Sequence, residues 1–251
     1  MRYIVANWKQ NKNIQQALAW LTAFKDSSFT LPNDIVVVVA APYPLLPQMR
    51  KYIDEENIPL KLAAQDISAH ASGAFTGEVG GEQLQSIVDC VIIGHSERRM
   101  YFSESNDSVK EKVAQAHAFG LGTFVCIADQ IHEDGTVPET KQEVPDEWFE
   151  QQVNCVFDEG VQPDKLVFVY EPISAISTFG GQPLTGTEAV SALERVSNVS
   201  QEKVLVMYGG SVNADNIGEY WPYPIVAGVM PGGASLDIRS FLDILERAQN
   251  S

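Results

Sequence analysis

Three residue types suited to moving a proton stand directly after short apolar runs in this sequence. Asn7, Trp8 and Lys9 follow the run 3–6; Gly94, His95, Ser96, Glu97, Arg98 and Arg99 follow 88–93; Glu171 and Pro172 follow 166–170. A carboxylate can take a proton from carbon, a neutral imidazole can donate to a carbonyl oxygen, and an ammonium can hold the charge that develops there. Each residue alone has a plainer reading: a surface glutamate, a histidine satisfied by backbone groups, a solvated lysine. Context favours chemistry. Glu171 opens onto Pro172 and a stretch containing Gly, Ser and Thr up to Thr187, the composition of a lid whose closure would desolvate the carboxylate and raise its basicity. His95 ends an apolar run where Ser96 and Glu97 begin a helix, and a helix N-terminus disfavours the imidazolium form. Lys9 would supply positive charge, with Asn7 donating beside it.

Two glycine pairs complete the set. Gly209 and Gly210 precede Ser211 after the run 203–208, and Gly232 and Gly233 precede Ala234 and Ser235 after 225–229. Either pair alone merely turns the chain. Both pairs after the last two runs, with the second opening a short helix, read as backbone N–H groups aimed at a phosphate.

These positions need a scaffold that brings run ends together. Eight apolar runs recur, at 3–6, 35–40, 61–64, 88–93, 122–127, 166–170, 203–208 and 225–229. Several show little polar alternation, as expected for parallel strands covered on both faces. Helix-period segments lie between them: Ile14, Ala17, Leu18 and Leu21; Phe149, Val153, Val156 and Phe157 behind Pro145 and ahead of Gly160; Ile238, Phe241, Leu242 and Leu245. Alternating strand and helix without a linker predicts a parallel sheet, and eight units favour closure. The expected fold is α/β, a single (β/α)8 barrel over residues 1–251, with its chemistry at the C-terminal rim of the strands.

Composition narrows the partners. With 251 residues, 45% hydrophobic and 20% charged, the chain is long enough for one large core. A formal net charge of −16 argues against nucleic acid and anionic membrane, which call for a basic footprint. It does not exclude an anionic metabolite, because repulsion is screened beyond about 8 Å at physiological salt. Cys90, Cys126 and Cys155 have no paired spacing, and no apolar segment suits a signal peptide or a membrane span. A cytoplasmic protein is expected. His70, His117 and His132 lack metal-ligand spacing, so neither metal nor cofactor is expected.

The motifs resemble those of the triosephosphate isomerases along the whole chain. They are Asn-Trp-Lys at 7–9, Gly-Ala-Phe-Thr-Gly-Glu at 73–78, Ile-Gly-His-Ser-Glu-Arg-Arg at 93–99, Tyr-Glu-Pro at 170–172, Tyr-Gly-Gly-Ser-Val at 208–212 and Gly-Gly-Ala-Ser-Leu at 232–236. The family is itself the standard example of a glutamate base paired with a neutral histidine under a closing loop. The resemblance implies interconversion of dihydroxyacetone phosphate and glyceraldehyde 3-phosphate, in glycolysis and gluconeogenesis, through an enediolate. Glu171 would be the base, His95 the acid serving the oxygens, Lys9 and Asn7 the charge stabilisers, and Glu97 the holder of the polar network. Ser177, Ser211, Gly210, Gly232 and Gly233 would bind phosphate, while Pro172, Ile176 and Tyr208 would belong to the lid. It further implies a homodimer through the loop around Thr76.

Departures concentrate after Glu171. The family's tryptophan reads Ser174, and its Gly-Thr-Gly tip reads Ser177, Thr178 and Phe179, so Gly180 and Gly181 become the expected hinge. Cys-Ile-Gly-Glu reads Cys126, Ile127, Ala128 and Asp129, and Met230 and Pro231 precede the last glycine pair. An aldolase would want a Schiff-base lysine on a late strand and an epimerase metal-spaced His and Asp; neither occurs. The remaining alternative is a phosphate-sugar-binding relic with an altered lid.

Overall fold

The computed structural model describes residues 1–129, 144–157, 161–173, 182–201 and 203–251. The first half runs β1 (Arg2–Asn7), α1 (Ile14–Lys25), β2 (Ile35–Ala41), α2 (Leu46–Glu55), β3 (Lys61–Ala64), α3 (Gly81–Leu84), β4 (Cys90–Ile93), α4 (Ser96–Phe102) and α5 (Asn106–Ala118). The second runs β5 (Gly122–Ala128), α6 (Asp146–Asn154), β6 (Leu166–Glu171), α7 (Gly186–Val199), β7 (Leu205–Tyr208), α8 (Ile217–Tyr220), β8 (Val226–Val229) and α9 (Ile238–Gln249). Each strand lies parallel to the next, and β1 pairs with β8, so the sheet closes into the expected (β/α)8 barrel.

Three strands begin later than the apolar runs suggest, because turn hydrogen bonds claim the leading residues. The Val88 N–H donates to Leu84 O, finishing the turn after α3, and the Lys203 N–H donates to Ser200 O beyond α7. Pro224 and Ile225 lie within a turn closed by Val226 N–H to Tyr223 O. Helix α6 likewise stops short of its apolar stripe: Cys155 caps it, and Val156 and Phe157 follow in a tight turn. They still pack inward, Val156 fully buried and Phe157 edge-on to Phe168 at 6.0 Å. Gly160 lies outside the described residues.

Strand parity divides the core into two layers. Val5, Val38, Ala40, Ile92, Cys126, Val167, Val169 and Met207 form the inner cluster, while Ile4, Ala6, Val37, Val39, Phe168 and Val206 pack in the outer one beneath the helices. Counting on by two from Val5 reaches Asn7, and from Val169 reaches Glu171. Both therefore project at the mouth of the barrel on the inner parity. The register aligns these ends: Asn7 opposes Ala40, Glu171 opposes Ala128, and Tyr208 opposes both Tyr170 and Val229.

Caps fix where the surrounding helices start. Asn13 and Gln16 exchange side-chain and backbone bonds at α1, as Thr185 and Glu188 do at α7, and Asp237 accepts the Ser240 N–H at α9. Helix α1 then buries Ala17, Trp20, Leu21 and Phe24. Among the described residues, no helix is long and apolar enough to cross a membrane.

The seam between β8 and β1 tolerates no side chain at Gly228, where a Cβ would lie 2.3 Å from the Tyr3 carbonyl oxygen. Gly228→Ala is expected to destabilise by at least about 2 kcal/mol through overpacking, read as a lower urea midpoint; an unchanged midpoint would contradict this account of closure. Burial also pushes all three thiols up: Cys155 to about 11, Cys90 to about 12, and Cys126 well above its ordinary value, with the Glu171 carboxylate beside it. A disulfide-exchange reagent at pH 8 should label none of them rapidly in the native protein and all three after unfolding. A fast-reacting native thiol would show that the packing around that cysteine is looser than described.

Candidate active site

One cavity of about 360 Å³ opens at the rim, lined by Asn7, Lys9, His95, Glu171, Gly209, Gly210, Ser211, Met230, Gly232 and Gly233, among others. Residues singled out from the sequence at the ends of β1, β4, β6, β7 and β8 thus meet in one concave site. Glu97 stands just behind it, its carboxylate 2.6 Å from the Lys9 ammonium. Ser177 and Ile176, with Ser174, Thr178, Phe179, Gly180 and Gly181, lie outside the described residues, as does His132.

The turn between β4 and α4 carries His95. His95 is the N-cap of α4, and its Nδ1 accepts the Glu97 N–H at 3.2 Å. A ring nitrogen that accepts a backbone N–H carries no proton of its own, so the ring's hydrogen sits on Nε2. That Nε2 lies 3.1 Å from Glu171 Oε1, and the Ser96 N–H donates to Glu171 Oε2 at 2.8 Å. The carboxylate, buried at 1% exposure, is therefore gripped on both oxygens by groups of one turn.

Two buried cations hold that turn. Arg99 donates through Nε to Gly94 O at 2.9 Å and through Nη1 to Asn106 Oδ1 at 2.8 Å. Gly94 takes the left-handed conformation, with φ +73°, and a Cβ there would crowd Val109 and Arg99. Beneath α4, Lys112 bonds both Asp66 and Glu104, and Arg98 reaches Asp66 at 2.8 Å. Burial pushes the Asp66 carboxyl up from its ordinary range, with Lys112 opposing that shift. Removing one member of such a group strands the others' charge and costs about 3–5 kcal/mol.

Room for Glu171 comes from Gly209, where a Cβ would sit 2.7 Å from Val169 and 3.0 Å from Glu171 Cγ. Gly210 is needed because Tyr208 lies behind it, the tyrosine oxygen 2.2 Å from where a Cβ would stand. Tyr208, expected as a lid residue, is fully buried in β7. It meets the chain that follows residue 181 rather than the cavity: its hydroxyl accepts the Leu184 N–H at 3.1 Å. Tyr220 donates to the Leu184 carbonyl at 2.7 Å.

Asp129, in the sequence only a shortened glutamate, is 3% exposed and accepts from Tyr170 Oη at 2.9 Å and from the Ile173 N–H at 2.6 Å. It thereby ties the chain on both sides of Glu171, and Pro172 is buried between those ties. Burial and the neighbouring carboxylate together raise the Tyr170 hydroxyl well above its usual range. The sequence signal was the departure itself; the partners lie more than forty residues away.

The part of the cavity formed after β7 and β8 is built from glycine-rich backbone. Gly233–Ser235 form a single tight turn whose first internal bond is the Ser235 N–H to Gly232 O at 2.9 Å. The N–H groups of Gly233 and Ala234 precede that bond, and both residues line the cavity. Trp20 Nε1 and Lys12 Nζ hold the turn from behind, donating to the carbonyls of Ser235 and Leu236. Across from it, Asn216 fixes the 209–213 loop by donating to Ser211 O at 2.9 Å. Among the described residues, Lys9 is the cation lining the cavity.

Comparison with known proteins agrees with this geometry. The family model described as triosephosphate isomerase matches residues 2–248. A triosephosphate isomerase of Streptococcus equi subsp. zooepidemicus is 37% identical, covering 97% of this chain and 96% of its own. Those of Alkaliphilus oremlandii and Synechocystis sp. are 35% and 34% identical, each covering 96% of this chain and 97% and 96% of their own. With the barrel, the rim cavity and a match over nearly its full length, the chain belongs to the triosephosphate isomerase family.

Proposed function

We propose that this isomerase interconverts dihydroxyacetone phosphate and D-glyceraldehyde 3-phosphate by proton transfer through an enediolate, with Glu171 as base. The observation that carries the reading is the shared cavity: a buried carboxylate, an Nε2–H imidazole and an ammonium lining it together with the glycine-rich backbone of 209–211 and 232–234. The phosphate sits on the N–H groups of Gly210, Ser211, Gly232 and Gly233, and Ser177 contributes its backbone there. That anchor turns a floppy three-carbon substrate into one with fixed orientation.

With the phosphate anchored, the carbonyl oxygen receives the His95 Nε2–H in place of Glu171. The carboxylate, losing that donor, moves from Ser96 toward carbon and removes the proton from C1 of the ketose. The electron pair becomes the enediolate, its charge held by Lys9 and the Asn7 amide in a site where water is excluded. His95 transfers hydrogen between O1 and O2, Glu171 returns its proton to C2, and the aldose forms with no net change in protons. Glu97 keeps the ammonium oriented while sharing its charge. Pro172, Ile176 and Tyr208 serve the lid that shuts the carboxylate from solvent.

Purified protein should turn over glyceraldehyde 3-phosphate in a coupled assay, and Glu171→Ala should lower kcat by roughly 10²- to 10⁴-fold without loss of cooperative unfolding. A folded Glu171→Ala variant within tenfold of an active parent would refute Glu171 as the base, and an inactive parent would favour the phosphate-sugar-binding alternative.

The same reading includes a homodimer through the loop around Thr76. Residues 71–78 are exposed throughout, and Phe75, Tyr101 and Phe102 leave large aromatic surfaces uncovered in the single chain. Sedimentation velocity at low micromolar concentration should give a dimer; a monomer at that concentration would contradict it.

A further inference from the structure

The turn that carries Lys9 is held by a residue with no motif of its own. Lys9 adopts the left-handed backbone conformation, with φ +51°, which a side chain with a Cβ rarely takes. Two amides surround it. Asn7 Oδ1 accepts the Lys9 N–H at 3.1 Å, and Gln65 Nε2 donates to the Lys9 carbonyl at 3.0 Å. The same Gln65 nitrogen donates to Ala40 O at 2.9 Å and lies 3.5 Å from Asn7 Oδ1. Three acceptors around one nitrogen leave no choice in the orientation of the glutamine amide.

Gln65 follows β3 directly, and its amide reaches across the end of β2 to the turn that follows β1. From there it ties the Lys9 backbone to the end of β2, whose Ala40 carbonyl also accepts the Trp8 N–H at 3.0 Å. Rotating Lys9 into an ordinary backbone conformation would swing its carbonyl off Gln65 and its ammonium away from Glu97 and the cavity. With Asn7 Oδ1 turned to the Lys9 N–H and Gln65, the Asn7 amide nitrogen is the atom left to meet a bound oxygen.

We infer that Gln65 is a positioning residue for the charge-bearing turn: its amide locks Lys9 in the left-handed conformation that delivers the ammonium, and it orients Asn7. It acts through Lys9 and Asn7 and touches no substrate itself. The inference rests on the proposed function for the role of Lys9, but the hold on Lys9 can be read by anion binding alone.

The test is a double-mutant cycle of Gln65→Leu and Lys9→Met, read by calorimetric binding of 2-phosphoglycolate and by kcat and KM for glyceraldehyde 3-phosphate. In the parent, Gln65→Leu should lower kcat/KM roughly tenfold to a hundredfold, as misplacement of a charged group does, and weaken 2-phosphoglycolate by about fivefold or more. In the Lys9→Met background both effects should shrink severalfold, because the ammonium being positioned is gone and only the hold on Asn7 remains. Equal losses in both backgrounds, or no loss in the parent, would overturn the inference. Gln65→Glu keeps the shape while setting a carboxylate against three acceptors, and it should reproduce the same pattern if the leucine variant fails to fold. An inactive parent would count against the proposed reaction, whereas the binding arm of the cycle would still decide the role of Gln65.

Discussion

Closure of the parallel sheet is the constraint on which everything else depends. A parallel strand can only be followed by a crossover, so every strand of the barrel ends on the same rim, and a closed ring makes that rim a circle. The β1–β8 seam completes it through Tyr3 opposite Gly228 and Ile4 opposite Val229. Once closed, residues separated by more than two hundred positions, such as Lys9 and Gly232, share one cavity. Strand parity then decides which of them face inward. The same alternation that fills the lumen with Val5, Val167 and Val169 carries Asn7 and Glu171 to its mouth.

An acidic protein that holds an anion is not a contradiction under these conditions. The chain carries a formal charge of −16, but exposed charges act weakly beyond about 8 Å in physiological salt. Inside the cavity the local inventory is different: Lys9, the opening N–H groups of the Gly233 turn, and a loop anchored by Asn216. The negative partner there is Glu171, whose oxygens are occupied by Ser96 and His95. Release of those two donors to a substrate oxygen and to movement of the carboxylate is what links binding to basicity in the proposed reaction.

The eight strands and the rim residues were legible in the sequence because they depend on local pattern. Apolar runs mark strands, and the residues just beyond each run mark the rim. Arg99, Asp129 and Gln65 were legible only as letters. Arg99 stood inside a motif, yet its bonds to Gly94 and Cys126 require β4 and β5 to be adjacent. Asp129 reads as a conservative departure until Tyr170 and Ile173 are seen to donate to it. Gln65 has three acceptors on two other strand ends, and no spacing rule connects positions 7, 40 and 65. Tyr208, which family likeness places with the lid, is a buried β7 residue whose hydroxyl accepts the Leu184 N–H, a contact that no sequence spacing announces. Strand ends could be read; the supports that fix side chains at those ends arise only from packing.

The central claim is that Glu171 moves a proton between carbons by way of the cavity described. The most direct measurement is conversion of glyceraldehyde 3-phosphate in deuterium oxide, with product and recovered substrate examined by proton NMR. An enediolate handled by a single exchangeable carboxyl predicts deuterium bonded to carbon in both, and loss of that incorporation along with turnover in Glu171→Ala. Product formed without any carbon-bound deuterium, or incorporation that persists at the parent rate in Glu171→Ala, would contradict it.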